Sequence, residues 1–162
     1  MAMYTMVGGV HGVGKSSFLG AFANNPQDTV LTINDDVSRI NYYIQKGVSF
    51  IRETTLAEDL DVQIARMAHE AGYQIRLCYL VLDTAEECLE RIQNRVRHGY
   101  PDTPCDEVTI AFKNRWRDLK RILPYCAEVM VFDNNNGFDL VAEYHNGELC
   151  QTGDQPPVWL FK

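Results

Sequence analysis

The chain reads as an α/β protein: a mostly parallel, doubly wound sheet of five strands, followed by a C-terminal β-hairpin. Three observations predict this. Short apolar runs rich in β-branched residues alternate with helical patterns along most of the 162 residues, as parallel strands joined by crossover helices do. The run 74–82 ends as unbroken apolar sequence, the pattern of a central strand buried on both faces. Polar residues able to do chemistry follow several of the runs, and the carboxyl ends of the strands are where such sheets bind ligands. The length fits one domain, residues 1–162.

The elements follow in order. Residues 3–8 form a first strand, and a helix opens at Ser16 after a glycine-rich loop. A second strand spans 29–33. A helix over 36–46 carries Val37, Ile40, Tyr43 and Ile44 on one face and stops at Gly47. A short third strand covers 48–51, and a helix over 56–71 keeps Leu60, Ile64, Met67 and Ala68 in step. After the fourth strand, Asp83 with Glu86 three residues on reads as a capping box for a helix to about 98. A loop with Pro101 and Pro104 leads to a helix over 106–123, ended by Pro124. The fifth strand is 128–132. Two runs, 140–144 and 148–151, flank Asn146-Gly147, the strongest hairpin turn signal. The tail beyond Gly153, with Trp159-Leu160-Phe161, reads as a packed terminus.

Composition narrows the function. A net charge of -7 argues against nucleic acid as a partner. No run is long and apolar enough to span a bilayer, and the N-terminus lacks the pattern of a secretory leader. The five cysteines include no C-x-x-C pair, so a reduced, cytoplasmic setting is expected.

The strongest motif is Gly9-Val10-His11-Gly12-Val13-Gly14-Lys15-Ser16, which matches G-x-x-x-x-G-K-[ST]. It lies between a strand and a helix, the context this phosphate-binding loop requires. Backbone amides of residues 9–17, Ser17 included, would wrap a polyphosphate at a helix N-terminus. Lys15 would reach the β- and γ-phosphates of ATP, and the Ser16 hydroxyl would ligate Mg²⁺. The fold expected is therefore that of a P-loop nucleotide enzyme or kinase. Such a kinase needs a carboxylate near the acceptor hydroxyl, and Asp36, with Asp35 beside it, follows the second strand. Asp36 is equally a good helix cap. Glu53, Thr54 and Thr55 follow the third strand and could hold a substrate hydroxyl or cap the next helix. Asp83 could serve Mg²⁺ or act as a cap only. Arg91 and Arg95, one helical turn apart, could close on the γ-phosphate, with Arg115 on the following helix as a further candidate. They could also be a solvated face.

Taken together these motifs resemble the zeta-toxin family of P-loop kinases. The resemblance covers about residues 3 to 150. It rests on the glycine-rich loop, Asn34-Asp35-Asp36, Glu53-Thr54-Thr55-Leu56, the stretch Ala68 to Leu80, Arg91-Ile92-Gln93-Asn94-Arg95-Val96 and Asp133-Asn134-Asn135. It implies an ATP- and Mg²⁺-dependent kinase acting on a small-molecule hydroxyl. Asp36 would be the base, Glu53 a substrate contact, Lys15 the phosphate clamp, and Arg95 the γ-phosphate contact with Arg91 and Arg115 behind it. The family's well-known toxins phosphorylate the amino sugar of UDP-N-acetylglucosamine, which makes an amino-sugar nucleotide the acceptor implied here. An antitoxin-type protein partner is compatible with the resemblance, although no residue points to one. Where relatives carry paired arginines before a phenylalanine, this chain has Ile110-Ala111 before Phe112. A non-catalytic ATP-binding switch and a nucleoside or nucleotide kinase remain the alternatives.

Overall fold

Strand β1 (Met3–Gly8) lies at the middle of the molecule, hydrogen-bonded in parallel to β3 (Phe50–Thr54) on one side and β4 (Gln74–Val81) on the other. Beyond them run β2 (Val30–Leu31), parallel to β3, and β5 (Glu128–Asp133), parallel to β4. The computed structural model describes residues 2–23, 25, 28–31 and 36–152, the last two without their side chains. Asp35 and the tail from Gly153 therefore lie outside the described residues. The sheet has seven strands rather than five. Strands β6 (Asp139–His145) and β7 (Glu148–Thr152) continue it antiparallel past β5, giving the order β2-β3-β1-β4-β5-β6-β7. Their turn holds Asn146 and Gly147 at φ 51° and 84°, the left-handed pair a tight hairpin needs. The hairpin does not stand apart because the free edge of β5 offers it a ladder of unpaired backbone groups.

Helices α1 (Lys15–Phe22), α2 (Val37–Lys46), α3 (Asp59–Glu70), α4 (Ala85–Arg97) and α5 (Cys105–Ile122) cover the sheet. Alternation along β4 sorts them into two layers. Ile75, Leu77, Tyr79 and Val81 enter one core with Ile64 and Ala68 of α3. Cys78 and Leu80 enter the other, with Phe18 of α1 and Cys88 and Ile92 of α4. Helix α5 belongs to both: Val108 near its start packs in the second core, Leu119 and Ile122 near its end in the first. It therefore passes from one face of the sheet to the other. No helix among the described residues is long and apolar enough to cross a membrane. All five cysteines are unpaired.

Four boundaries differ from the sequence expectation. Strand β3 extends to Thr54 because Phe50, Arg52 and Thr54 all point inward, and a buried arginine reads as the end of a strand. Helix α3 starts later because Leu56 adopts φ 63°, which interrupts a helical run, and Glu58 becomes the N-cap. Thr84, not Asp83, caps α4: its hydroxyl accepts from the Glu87 amide at 3.2 Å. Of the expected second strand, Val30–Leu31 forms β2, and residues 32–33 lie outside the described residues.

Candidate active site

The loop between β1 and α1 is shaped by backbone torsions that side chains would not allow. Gly12 has φ 91° and a Cβ there would run into the Cys88 carbonyl oxygen. Gly14 has φ 102°, and a Cβ there would strike the Asn134 amide nitrogen. Gly14 is also the N-cap of α1, and no side chain caps the helix. No acidic residue occupies the first turn either, so the amides there keep their partial positive charge for a ligand. Lys15 is 5 % exposed, and its ammonium donates to the Gly9 carbonyl at 2.6 Å. Burial pushes its pKa down to about 8; nearby Glu53 pulls it up and Arg95 presses it lower.

One side of the loop opens on a cleft of about 690 Å³ lined by Gly12, Gly14, Ser16, Ser17, Arg91, Asn94, Arg95, Tyr100 and Asn134. It brings together the loop, Ser16 and two of the expected arginines, and no carboxylate among the described residues lines it. The Arg95 guanidinium lies 4.7 Å from the Tyr100 ring centre, and Arg91 donates to the Asn134 carbonyl at 2.6 Å. Asn134, which the sequence reading used only as a stop after β5, lines the cleft. Its side-chain amide donates to the Val13 carbonyl at 2.9 Å, and its backbone amide donates to Val81 at 3.1 Å. It thus ties the loop to the ends of β4 and β5. Asp83 does not line this cleft; its carboxylate accepts from the Asn135 side chain at 3.1 Å. Arg115 does not line it either. Its guanidinium donates to Phe112 of its own helix at 2.6 Å and stacks on the Phe112 and Trp116 rings at 3.6 and 4.6 Å. Burial holds its pKa below the ordinary arginine value.

The residues expected near an acceptor hydroxyl lie at the N-cap of α2 and at the end of β3. Asp36 caps α2 and is exposed; its Oδ1 accepts from the Ser38 amide at 3.1 Å, which lowers its pKa and favours the carboxylate. Glu53 pairs in register with Val7, one residue before the glycine-rich turn region begins at Gly8, and is half-buried. Thr54 departs from its expected role as a substrate contact. It is fully buried, its hydroxyl donates to Asp61 at 2.7 Å and accepts from the Leu56 amide at 3.0 Å. Asp61 also takes the Arg52 guanidinium at 2.6 Å and the Glu58 amide at 3.2 Å. This buried group of charges fixes the turn that carries Thr55.

Thr55 opens onto a second cavity, about 450 Å³, on the α5 side of the loop. His11 projects from the loop into its lining, together with Glu58, Glu107, Ile110 and Asn114. Burial lowers the His11 pKa, Lys15 and Arg95 add to that, and Glu107 opposes them. His11 thus faces away from the cationic cleft.

A family model described as Zeta toxin matches residues 38–143. The match begins after the glycine-rich loop and Asp36, so it is independent of both. Among solved structures, a chain of the AvrRxo1-ORF1:-ORF2 complex with ATP superposes with a TM-score of 0.65 and 15% identity, over 93% of this chain and 60% of that one. The PezAT chromosomal toxin–antitoxin system of Streptococcus pneumoniae gives 0.62 and 15%, over 94% of this chain and 75% of that one. The chain thus spans about 60% of the AvrRxo1 chain it matches, and at these identities the likeness is one of fold. No curated protein is similar enough to count as a match. With a family model covering well over half of its length, the chain belongs to the zeta-toxin family.

Proposed function

We propose that the chain is a kinase that transfers the γ-phosphoryl group of ATP to the hydroxyl of a small molecule. One observation carries the reading: the N-terminus of α1 has no capping side chain and no acidic residue in its first turn, with Lys15 buried behind it and Arg91 and Arg95 lining the cleft. Such an array of helix N-terminal amides and cations suits a triphosphate. ATP bound to the similar AvrRxo1 complex supports the choice of nucleotide. The residues fit magnesium as a partner of the nucleotide: Ser16 offers an exposed hydroxyl at the cleft, while no cluster of three or more metal-ligating side chains exists among the described residues. The ion, held by Ser16 and phosphate oxygens, would neutralise charge on the phosphates.

In the step proposed, the acceptor oxygen attacks the γ-phosphorus while the bond from that phosphorus to the β,γ-bridging oxygen breaks. The acceptor proton passes to Asp36, and ADP departs with the bridging oxygen. Lys15, Arg91 and Arg95 stabilise charge on the transferring group. Glu53 and Thr55 orient the acceptor. The protein supplies placement and electrostatics, which is most of what such a transfer demands. The likeness to the PezAT system supports a protein partner of the antitoxin kind. Calorimetry with Mg·ATP followed by single-turnover transfer to a panel of hydroxyl compounds tests the reading. Binding with transfer is the expected result; absence of binding would overturn it. A non-catalytic switch is the second reading, favoured by the inward folding of Arg115, and binding without transfer to any acceptor would select it.

A further inference from the structure

Asn134, in the turn after β5, bonds to three separate parts of the phosphate-binding region. Its backbone amide donates to the Val81 carbonyl at 3.1 Å, which seats it at the end of β4. Its backbone carbonyl accepts from Arg91 at 2.6 Å. A guanidinium has five N–H groups, so that one bond does not exhaust Arg91. The Asn134 side chain reaches the Val13 carbonyl at 2.9 Å. A carbonyl can only accept, so the atom facing Val13 is the asparagine nitrogen. The turn is itself pinned. The Asn135 amide donates to Asp133 Oδ1 at 2.8 Å, the Asn135 side chain donates to Asp83 at 3.1 Å, and the Phe138 ring lies edge-on to Phe18 of α1 at 5.2 Å. The Asn134 side chain therefore extends to the loop from a fixed base.

The bond to Val13 bears on the direction of an amide. In a trans peptide the carbonyl and the N–H point opposite ways, and the chain has no cis peptide among the described residues. Holding the Val13 carbonyl on Asn134 therefore fixes the direction of the Gly14 N–H. Glycine takes φ of either sign, so Gly14, at φ 102°, offers little resistance of its own to rotation of that peptide. A rotated peptide would put a carbonyl oxygen where the N–H had been. We propose that Asn134 is a positioning residue for polyphosphate: it holds the Val13–Gly14 peptide so that the Gly14 N–H, and not the Val13 oxygen, meets the phosphate oxygens. The inference rests on the kinase reading above and names a residue that shapes its nucleotide side. Asn134 acts through the loop, while Arg91, bonded to the backbone of the same residue, keeps one spacing from it. A residue that only formed a turn would have no need of a partner 121 positions away.

The test is calorimetry on the full chain with two probes, Mg·ATP and Mg·tripolyphosphate. In Asn134→Ala the Val13 carbonyl loses its donor, and affinity for both probes should fall about tenfold, the worth of one hydrogen bond to a charged group. Asn134→Ser keeps a turn-forming residue but is too short to reach Val13, and it should lose as much. The peptide itself is read by NMR without nucleotide. The Gly14 amide should give one sharp signal in the wild type and a doubled or exchange-broadened one in both variants. Affinities that stay within about twofold of wild type overturn the inference. So does a loss confined to Mg·ATP, which would set Asn134 against the nucleoside, and so does a Gly14 signal that stays single and sharp. A wild-type chain that binds neither probe would sink the kinase reading itself, whereas wild-type binding that both variants retain in full would sink the role of Asn134 alone.

Discussion

Two clefts share one loop and differ in every respect that matters for phosphate. The cleft at Ser16 and Ser17 is lined by Arg91 and Arg95 and by no carboxylate among the described residues. The cavity at His11 and Thr55 is lined by Glu58, Glu107 and Asp118, and the Asp118 carboxylate is held by Arg117 at 3.2 Å and Arg121 at 3.6 Å. In a chain of net charge -7 the cationic side is a local concentration of charge against the average. The contrast teaches that two cavities flanking one loop can differ in charge: cations face the one, and carboxylates line the other.

The comparison can be broken at several points. The largest effect expected is at Asp61, which anchors the acceptor-side turn. Asp61→Ala leaves Arg52 buried at 3% exposure without its partner and should cost about 3–5 kcal/mol in urea denaturation. A loss below about 1 kcal/mol would show that the buried pair is not what holds the turn. Next is Lys15→Ala on the donor side, expected to slow phosphoryl transfer by about 10²–10³-fold in a single-turnover assay. Transfer at the wild-type rate would remove the lysine from the mechanism. Asp36→Asn should lower transfer by about 10²-fold while ATP affinity stays within about twofold, separating the two sides kinetically. An equal loss in both quantities would place Asp36 on the donor side instead. The smallest effect is a pH dependence. Lys15 binds its proton less tightly in the folded protein, with a pKa of about 8, so polyphosphate affinity should fall about tenfold per pH unit above that value. In the absence of nucleotide the sign for stability is opposite. The unfolded chain binds more protons between about pH 8 and the ordinary lysine value, so this group adds stability as pH rises through that window. Nucleotide titrations at pH 7 and 9, beside thermal melts, separate the two; affinity that does not change between them would contradict the burial of the ammonium.

The glycine-rich loop was legible because its residues are contiguous and its chemistry depends on spacing. The same holds for Asp36, whose capping role follows from its place before a helix. Asn134 was not legible as a clamp, for its partner Val13 lies 121 residues away and an asparagine after a strand reads as a turn. Thr54 was misread for a different reason. Arg52 and Glu53 look like the exposed end of a strand, and only the packed structure shows that Arg52 turns inward to meet Asp61. Arg115 offered a signal that went unused: Phe112, three residues before it on the same helical face, is an aromatic ring on which a guanidinium can lie. The five parallel strands followed from periodicity, while the attachment of the hairpin did not, because edge pairing is decided between distant segments.

The bond from the Lys15 ammonium to the Gly9 carbonyl has a kinetic and energetic meaning. The side chain spans its own turn, so the loop is braced from within. A nucleotide bound as proposed would exchange one oxygen for another at that nitrogen without first folding the loop, so little of its binding free energy would go to ordering the backbone.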